Sequence, residues 1–288
     1  MLILPSRAGF GVSGAHGAPF TSSRATARLV TAAFEGGVRV FDTAPSYGTG
    51  EAERRLGRAV AALGRDHVFI STKAGLFSSD LTARRRDFSP DAIEASLRAS
   101  LTRLGVPGVD LLLLHGAGAH EQTPELLDRL DALRRAGAFA HLGAAGRGAE
   151  LDAAIGDPRF DAIMAPVHPF LDAEETARLA QARLAGKAVF AIETAGDAPP
   201  GLRLPRRPGD LYALAKGVRA RLKGVAGRGR IAPATGFAQA LNHDAVSCAL
   251  FTTTRRKHLD ESLAALARSE QGAPAHTPAT PAGPDTAR

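Results

Sequence analysis

Eight short apolar runs recur along the chain, separated by longer amphipathic stretches, and this alternation constrains the fold more than any other feature. The runs are RAGFGV (7–12), VRVFD (38–42), HVFIST (67–72), VDLLLLH (109–115), AFAHLG (138–143), FDAIMA (160–165), KAVFAIE (187–193) and AVSCALF (245–251). They are nearly continuous in apolar residues, the pattern of parallel strands covered on both faces. Between them, SRATARLVTAAFEGG has apolar residues at three- and four-residue spacing and stops at Gly36-Gly37. SPDAIEASLRASLTRLG opens with a Ser89 cap and Pro90 at the first helical position and ends at Gly105. TPELLDRLDALRRAG repeats that logic and ends at Gly137. Eight strands alternating with helices predict an α/β fold of the (β/α)8 TIM-barrel kind, with a doubly wound open sheet as the alternative. One barrel domain is expected over residues 1–269. Residues 270–288, rich in Pro, Ala, Gly and Thr, read as a disordered tail.

Composition narrows the setting. The single Cys248 excludes an intrachain disulfide, and its place in AVSCALF reads as a buried core thiol. MLILPSRAGF has no basic leader followed by a long apolar segment, and no apolar run approaches a membrane span, so the expected location is cytoplasmic. The net charge of +7 admits nucleic acid, a membrane surface or a phosphorylated small molecule. The basic residues are not interleaved with stacking aromatics, and neither nucleic acid nor membrane is expected as a partner.

In a barrel of this kind the chemistry gathers at the C-terminal ends of the strands. Those ends present Asp42, Lys73 and His115, with Tyr47 in the loop just after Asp42. Each has a bland reading: a turn cap, a solvated strand end, a core histidine, a packed aromatic. Jointly they suit the polarisation of a carbonyl. A free tyrosine, with a pKa near ~10, is a poor proton donor at neutral pH, and a nearby ammonium favours its phenolate. A carboxylate bonded to the ammonium would hold the lysine in place, and a histidine beside the phenol could orient the C=O.

FDTAPSYGTGEAERRLG, STKAG and VDLLLLHG, in that order, resemble the aldo-keto reductase family of NAD(P)H-dependent (β/α)8-barrel oxidoreductases. The resemblance covers most of residues 7–268 and takes in GFGVSG, with Gly11 and Val12, at the first strand and HLDESLAALA in the last helix. It implies Tyr47 as general acid, Lys73 as the group that lowers its pKa, Asp42 as the partner of Lys73, and His115 as the orienter of a small aldehyde, ketone or aldose. The motifs also resemble members that oxidise aldoses, which leaves the direction open.

The cofactor residues depart from the family pattern. Where the family holds the nicotinamide carboxamide with a Ser-Asn pair, this chain has Ala145 and Gly146. Met164 stands for the following Gln, and Ile192 for the aromatic that stacks on the ring. Toward the C-terminus TTTRRKHLDES resembles the segment that grips the adenosine phosphate. Thr252, Thr253, Arg255 and Arg256 are its expected donors, His258 falls where an arginine is usual, and Glu261-Ser262 stands for Glu-Asn. Donors near a helix N-terminus suit a 2′-phosphate, which favours NADP(H), with NAD(H) as the alternative. Residues 203–230 carry nine basic residues and one acid, read mostly as a solvated helix face, with Arg203, Arg206 and Arg207 as the candidates for pyrophosphate contact. HGAGAHE lacks the HExxH spacing of a zinc site, and LGAAGRG is not a dinucleotide GxGxxG. The rival reading is a non-catalytic or regulatory barrel with weakened nicotinamide binding. Nucleic-acid binding ranks below both.

Overall fold

The computed structural model describes residues 2–78, 84–199, 214, 215, 217, 218, 220–222 and 227–272. Ten strands lie among them: β1 (Ala8–Gly11), β2 (Val40–Asp42), β3 (Phe69–Ala74), β4 (Leu76–Ser78), β5 (Arg84–Arg86), β6 (Val109–His115), β7 (Phe139–Ala145), β8 (Ala162–Pro166), β9 (Ala188–Ile192) and β10 (Cys248–Phe251). Eight close a parallel barrel in the order β1-β10-β9-β8-β7-β6-β3-β2, which settles the choice against an open sheet. Each apolar run foreseen in the sequence supplies one staves of that barrel, because each is covered by side chains on both faces.

The interior of the barrel is filled by Val40, Phe69, Leu111, Leu113, Ala162, Met164, Ala188, Phe190, Cys248 and Leu250. Burial pushes the Cys248 thiol far above its ordinary range, so it remains protonated packing. Outside the barrel lie α1 (Ser23–Glu35), α2 (Glu51–Leu63), α3 (Pro90–Leu104), α4 (Pro124–Arg135), α5 (Asp152–Gly156) and α6 (Ala173–Leu184), then the helices Pro233–Leu241 and Arg256–Gly272. Their apolar stripes form a second, larger core against the outer strand face.

Local details depart from the sequence reading in four places. Ser89 precedes α3, but its hydroxyl donates to Asp87 at 2.7 Å and makes no cap bond, whereas Thr123 does accept from Leu126 N at the start of α4. β4 and β5 form an antiparallel hairpin after β3 that no apolar run announces. The last helix continues to Gly272, past the expected boundary at residue 269, and 273–288 lie outside the described residues, as do Arg203, Arg206 and Arg207. Arg228, from the basic stretch, is not simply solvated: it binds Asp172, Glu175 and Asp197 and ties the 227–230 strand of loop to the start of α6.

Candidate active site

Sheet register brings the four strand-end groups together. Asp42 pairs with Ser71 across β2 and β3, Lys73 pairs with Leu113 across β3 and β6, and His115 ends β6. Asp42 and Lys73 are 4% and 2% exposed, which leaves neither charge a hydration shell. They satisfy each other: Lys73 Nζ donates to Asp42 Oδ1 and Oδ2 at 2.6 Å and to Thr43 O at 2.9 Å, while Ser71 Oγ donates to Asp42 Oδ1 at 2.8 Å. Its remaining partner is the Tyr47 phenol, whose ring centroid lies 5.3 Å from Nζ. Burial alone would lower the Lys73 pKa, but the Asp42 carboxylate and then Tyr47 more than reverse this, and the group is held above its ordinary value as a permanent cation.

Tyr47 is half-buried and meets His115 edge-on, ring centroids 6.4 Å apart at 82°. Its position is set by interlocked backbones. Gly48 sits at φ 61°, and a Cβ there would fall 2.1 Å from Gly17 O, while a Cβ on Gly17 would fall 2.7 Å from Gly48 N. Only glycine at both positions allows the loop after β1 to lie against the loop after β2. A phenol, an imidazole and a fixed cation thus converge at the mouth, a set able to donate a proton to an oxygen and stabilise the charge left behind. Beside His115 the wall is polar: Arg86 of the hairpin donates to Gly116 O at 2.7 Å and to Glu121 Oε2 at 2.6 Å.

The expected cofactor residues spread around the rest of the rim, from β1 beside Asp42 through β10 to β9, β8 and β7. Gly11 ends β1, and a Cβ there would lie 2.4 Å from Thr252 Oγ1; Ser13 Oγ and Thr252 Oγ1 are 3.2 Å apart. Val12 is fully buried, its N–H donating to Asp42 O at 2.8 Å. Thr253 Oγ1 accepts from Arg255 N at 3.1 Å, just ahead of the last helix, where Arg255 and Arg256 are exposed. This hydroxyl and guanidinium set at a helix N-terminus fits a phosphate. Arg256 is held by Asp260 at 2.8 Å, and the Ser262 hydroxyl donates to His258 O within the helix, while His258 and Glu261 face solvent. Ala145, Gly146, Met164 and Ile192 do meet at the ends of β7, β8 and β9: Gly146 N donates to Met164 O at 3.1 Å. Met164, 1% exposed, belongs to the apolar filling.

Three groups escaped the sequence reading. Glu53, fully buried in α2, accepts from Thr72 Oγ1 at 2.7 Å and Arg103 Nε at 2.5 Å, bracing β3 behind Lys73. His16 is buried after β1, with Nε2 2.9 Å from Thr253 O and Nδ1 3.0 Å from Thr26 Oγ1. A carbonyl only accepts, so Nε2 carries the proton and Nδ1 accepts from Thr26. Burial lowers the His16 pKa to about 4, against the bond to Thr253 and with help from Arg55. Third, Arg147 and Glu193 form an ion pair across the mouth. A histidine in a Gly-rich loop and charges far apart in sequence carry no periodic signal. Among the described residues no three His, Cys, Asp or Glu side chains gather as a metal would need, and no helix is long and apolar enough to cross a membrane.

Comparison with known proteins places this geometry in context. A profile of the Aldo/keto reductase family matches residues 8–198. The D-threo-aldose 1-dehydrogenase of Pseudomonas sp. is 32% identical over 146 residues, 44% of this chain and 44% of that protein, so the match spans less than half of the relative's length. An aldo-keto reductase of Bacillus halodurans in its holo form superposes with a TM-score of 0.70 at 20% identity, over 92% of this chain and 90% of that one. An aldo-keto reductase of Klebsiella pneumoniae in complex with NADPH superposes with a TM-score of 0.66 at 22% identity, over 91% and 85%. At these identities the two structures speak to the fold.

Proposed function

The chain belongs to the Aldo/keto reductase family, and from that premise we propose that it is an NADP(H)-dependent oxidoreductase moving hydride between nicotinamide and a small aldehyde, ketone or aldose. The observation that carries this reading is Lys73, buried between the Asp42 carboxylate and the Tyr47 phenol at the mouth of the barrel. The bound nicotinamide supplies or accepts the hydride. Tyr47 donates the proton to the carbonyl oxygen in reduction and takes it back in oxidation. Lys73 stabilises the phenolate that donation leaves, and Asp42 keeps the ammonium from drifting. His115 orients the oxygen toward Tyr47. Ser13, Thr252 and Arg255 would hold the adenosine phosphate, a hydroxyl and guanidinium set that favours NADP(H). The relative named for an aldose, together with the Arg86–Glu121 wall, supports a polar substrate.

The apolar filling at Met164 and Ala145 favours a second reading, a barrel that keeps the proton machinery but binds nicotinamide weakly. Titration with NADPH, followed by calorimetry, separates the two. The oxidoreductase reading expects saturable binding below millimolar concentration, and no binding at that level would overturn it. With cofactor bound, Tyr47→Phe is expected to lower turnover by about 10²–10⁴-fold while leaving NADPH affinity nearly unchanged.

A further inference from the structure

Beyond Asp42, Tyr47, Lys73 and His115, one charged contact at the mouth crosses the end of β8. Arg147 follows β7, Glu193 follows β9, and the guanidinium meets the carboxylate at 2.5 Å. Both backbones are pinned. Arg147 N donates to Glu150 Oε2 at 2.9 Å, and its carbonyl accepts from Glu150 N at 3.2 Å. Glu193 lies at φ 53°, one of two non-glycine residues at positive φ among the described residues, and its carbonyl accepts from Gly196 N at 2.8 Å. Such a conformation is rare for a residue with a Cβ and gathers at functional positions. Exposed ion pairs contribute little to stability, so stability does not account for two pinned backbones and a left-handed glutamate. Beneath the pair the barrel end is apolar, formed by Ala145, Met164, Phe190 and Ile192.

We propose that Arg147 and Glu193 together bind the nicotinamide carboxamide, in place of neutral side chains on β7 and β8. This rests on the dinucleotide reading above. Their closest contact joins one guanidinium nitrogen to one carboxylate oxygen, and a guanidinium carries five N–H donors and a carboxylate two acceptor oxygens, more than that contact requires. A primary amide presents C=O and NH2 side by side in one plane. Arg147 donates to its carbonyl, Glu193 accepts from its NH2, and the ion pair stays intact because the amide is neutral. The apolar floor takes the face of the attached ring.

The test compares NADPH with 2′-phospho-ADP-ribose, which lacks only the nicotinamide, by calorimetric titration of the wild type and of Arg147→Met, Glu193→Gln and Glu193→Gly. Each variant is expected to bind NADPH about 10–100-fold more weakly, since charge-assisted hydrogen bonds are lost, while the affinity for 2′-phospho-ADP-ribose stays within about twofold. Glu193→Gly relieves the positive φ as it removes the carboxylate, so its weakened NADPH binding in a protein melting at or above the wild-type temperature separates ligand contact from folding. Unchanged NADPH affinity in the variants, or equal weakening of both ligands, overturns the proposal. A wild type that binds neither ligand overturns the dinucleotide reading itself.

Discussion

On the β2–β3–β6 side of the barrel mouth the charges are buried and matched atom for atom; on the β7–β9 side the floor is apolar and the charges stand on the rim. Asp42, Lys73, Ser71 and Thr43 satisfy one another with almost no access to water. Arg147 and Glu193, by contrast, are 62% and 31% exposed. A buried ion pair is rigid, and removing one partner strands the other in a low-dielectric core. A rim pair can be altered with little effect on folding. Any chemistry on the first side would therefore be tied to the stability of the fold, while the charges of the second can change without disturbing it.

Substitutions can break or sharpen this contrast. Lys73→Met leaves the Asp42 carboxylate buried without its counter-ion and is expected to cost about 3–5 kcal/mol, read as a fall in denaturant midpoint; a loss below about 1 kcal/mol would erase the distinction between the two sides. His16 tests the seam between them. Its pKa of about 4 in the fold lies below the usual ~6.5, so the unfolded chain binds the extra proton first. Its contribution is present in full above pH 6.5 and is lost as the pH falls toward 4, by up to about 3 kcal/mol. His16→Gln should flatten the thermal midpoint over that interval, and an unaltered pH profile would refute the assignment. Met164→Gln places an amide in the apolar floor and is expected to cost about 1–3 kcal/mol without ligand, with NADPH recovering part of the loss in melting experiments. Last, Arg255→Ala should weaken NADPH about tenfold, leave NADH unaffected and leave the melting temperature unchanged. A parallel loss for NADH would place Arg255 away from the 2′-phosphate.

The same contrast explains what could be read from the sequence. All eight barrel strands were legible because strands covered on both faces are apolar throughout. That Asp42, Lys73 and His115 gather at one end of the barrel was legible because each closes or follows an apolar run, and the strands of a parallel barrel all end on the same face. The β4–β5 hairpin left no such trace: LFS and RRR are short, and one partner is entirely charged. Ser89 matched a cap by residue type, yet Asp87 competes for its hydroxyl, a contest that only geometry decides. Arg147 and Glu193 meet because β7 and β9 flank β8, a neighbourhood created by barrel closure and invisible to local spacing.

The contact between Gly17 and Gly48 has a consequence for engineering. Barrels of this class are commonly treated as scaffolds whose loops can be exchanged one at a time. Here the first two loops are a single module, because the backbone of one is the mould for the other. A graft that replaced either alone would shift the phenol it was meant to preserve, so new specificities in this scaffold are better sought by exchanging the hairpin that carries Arg86.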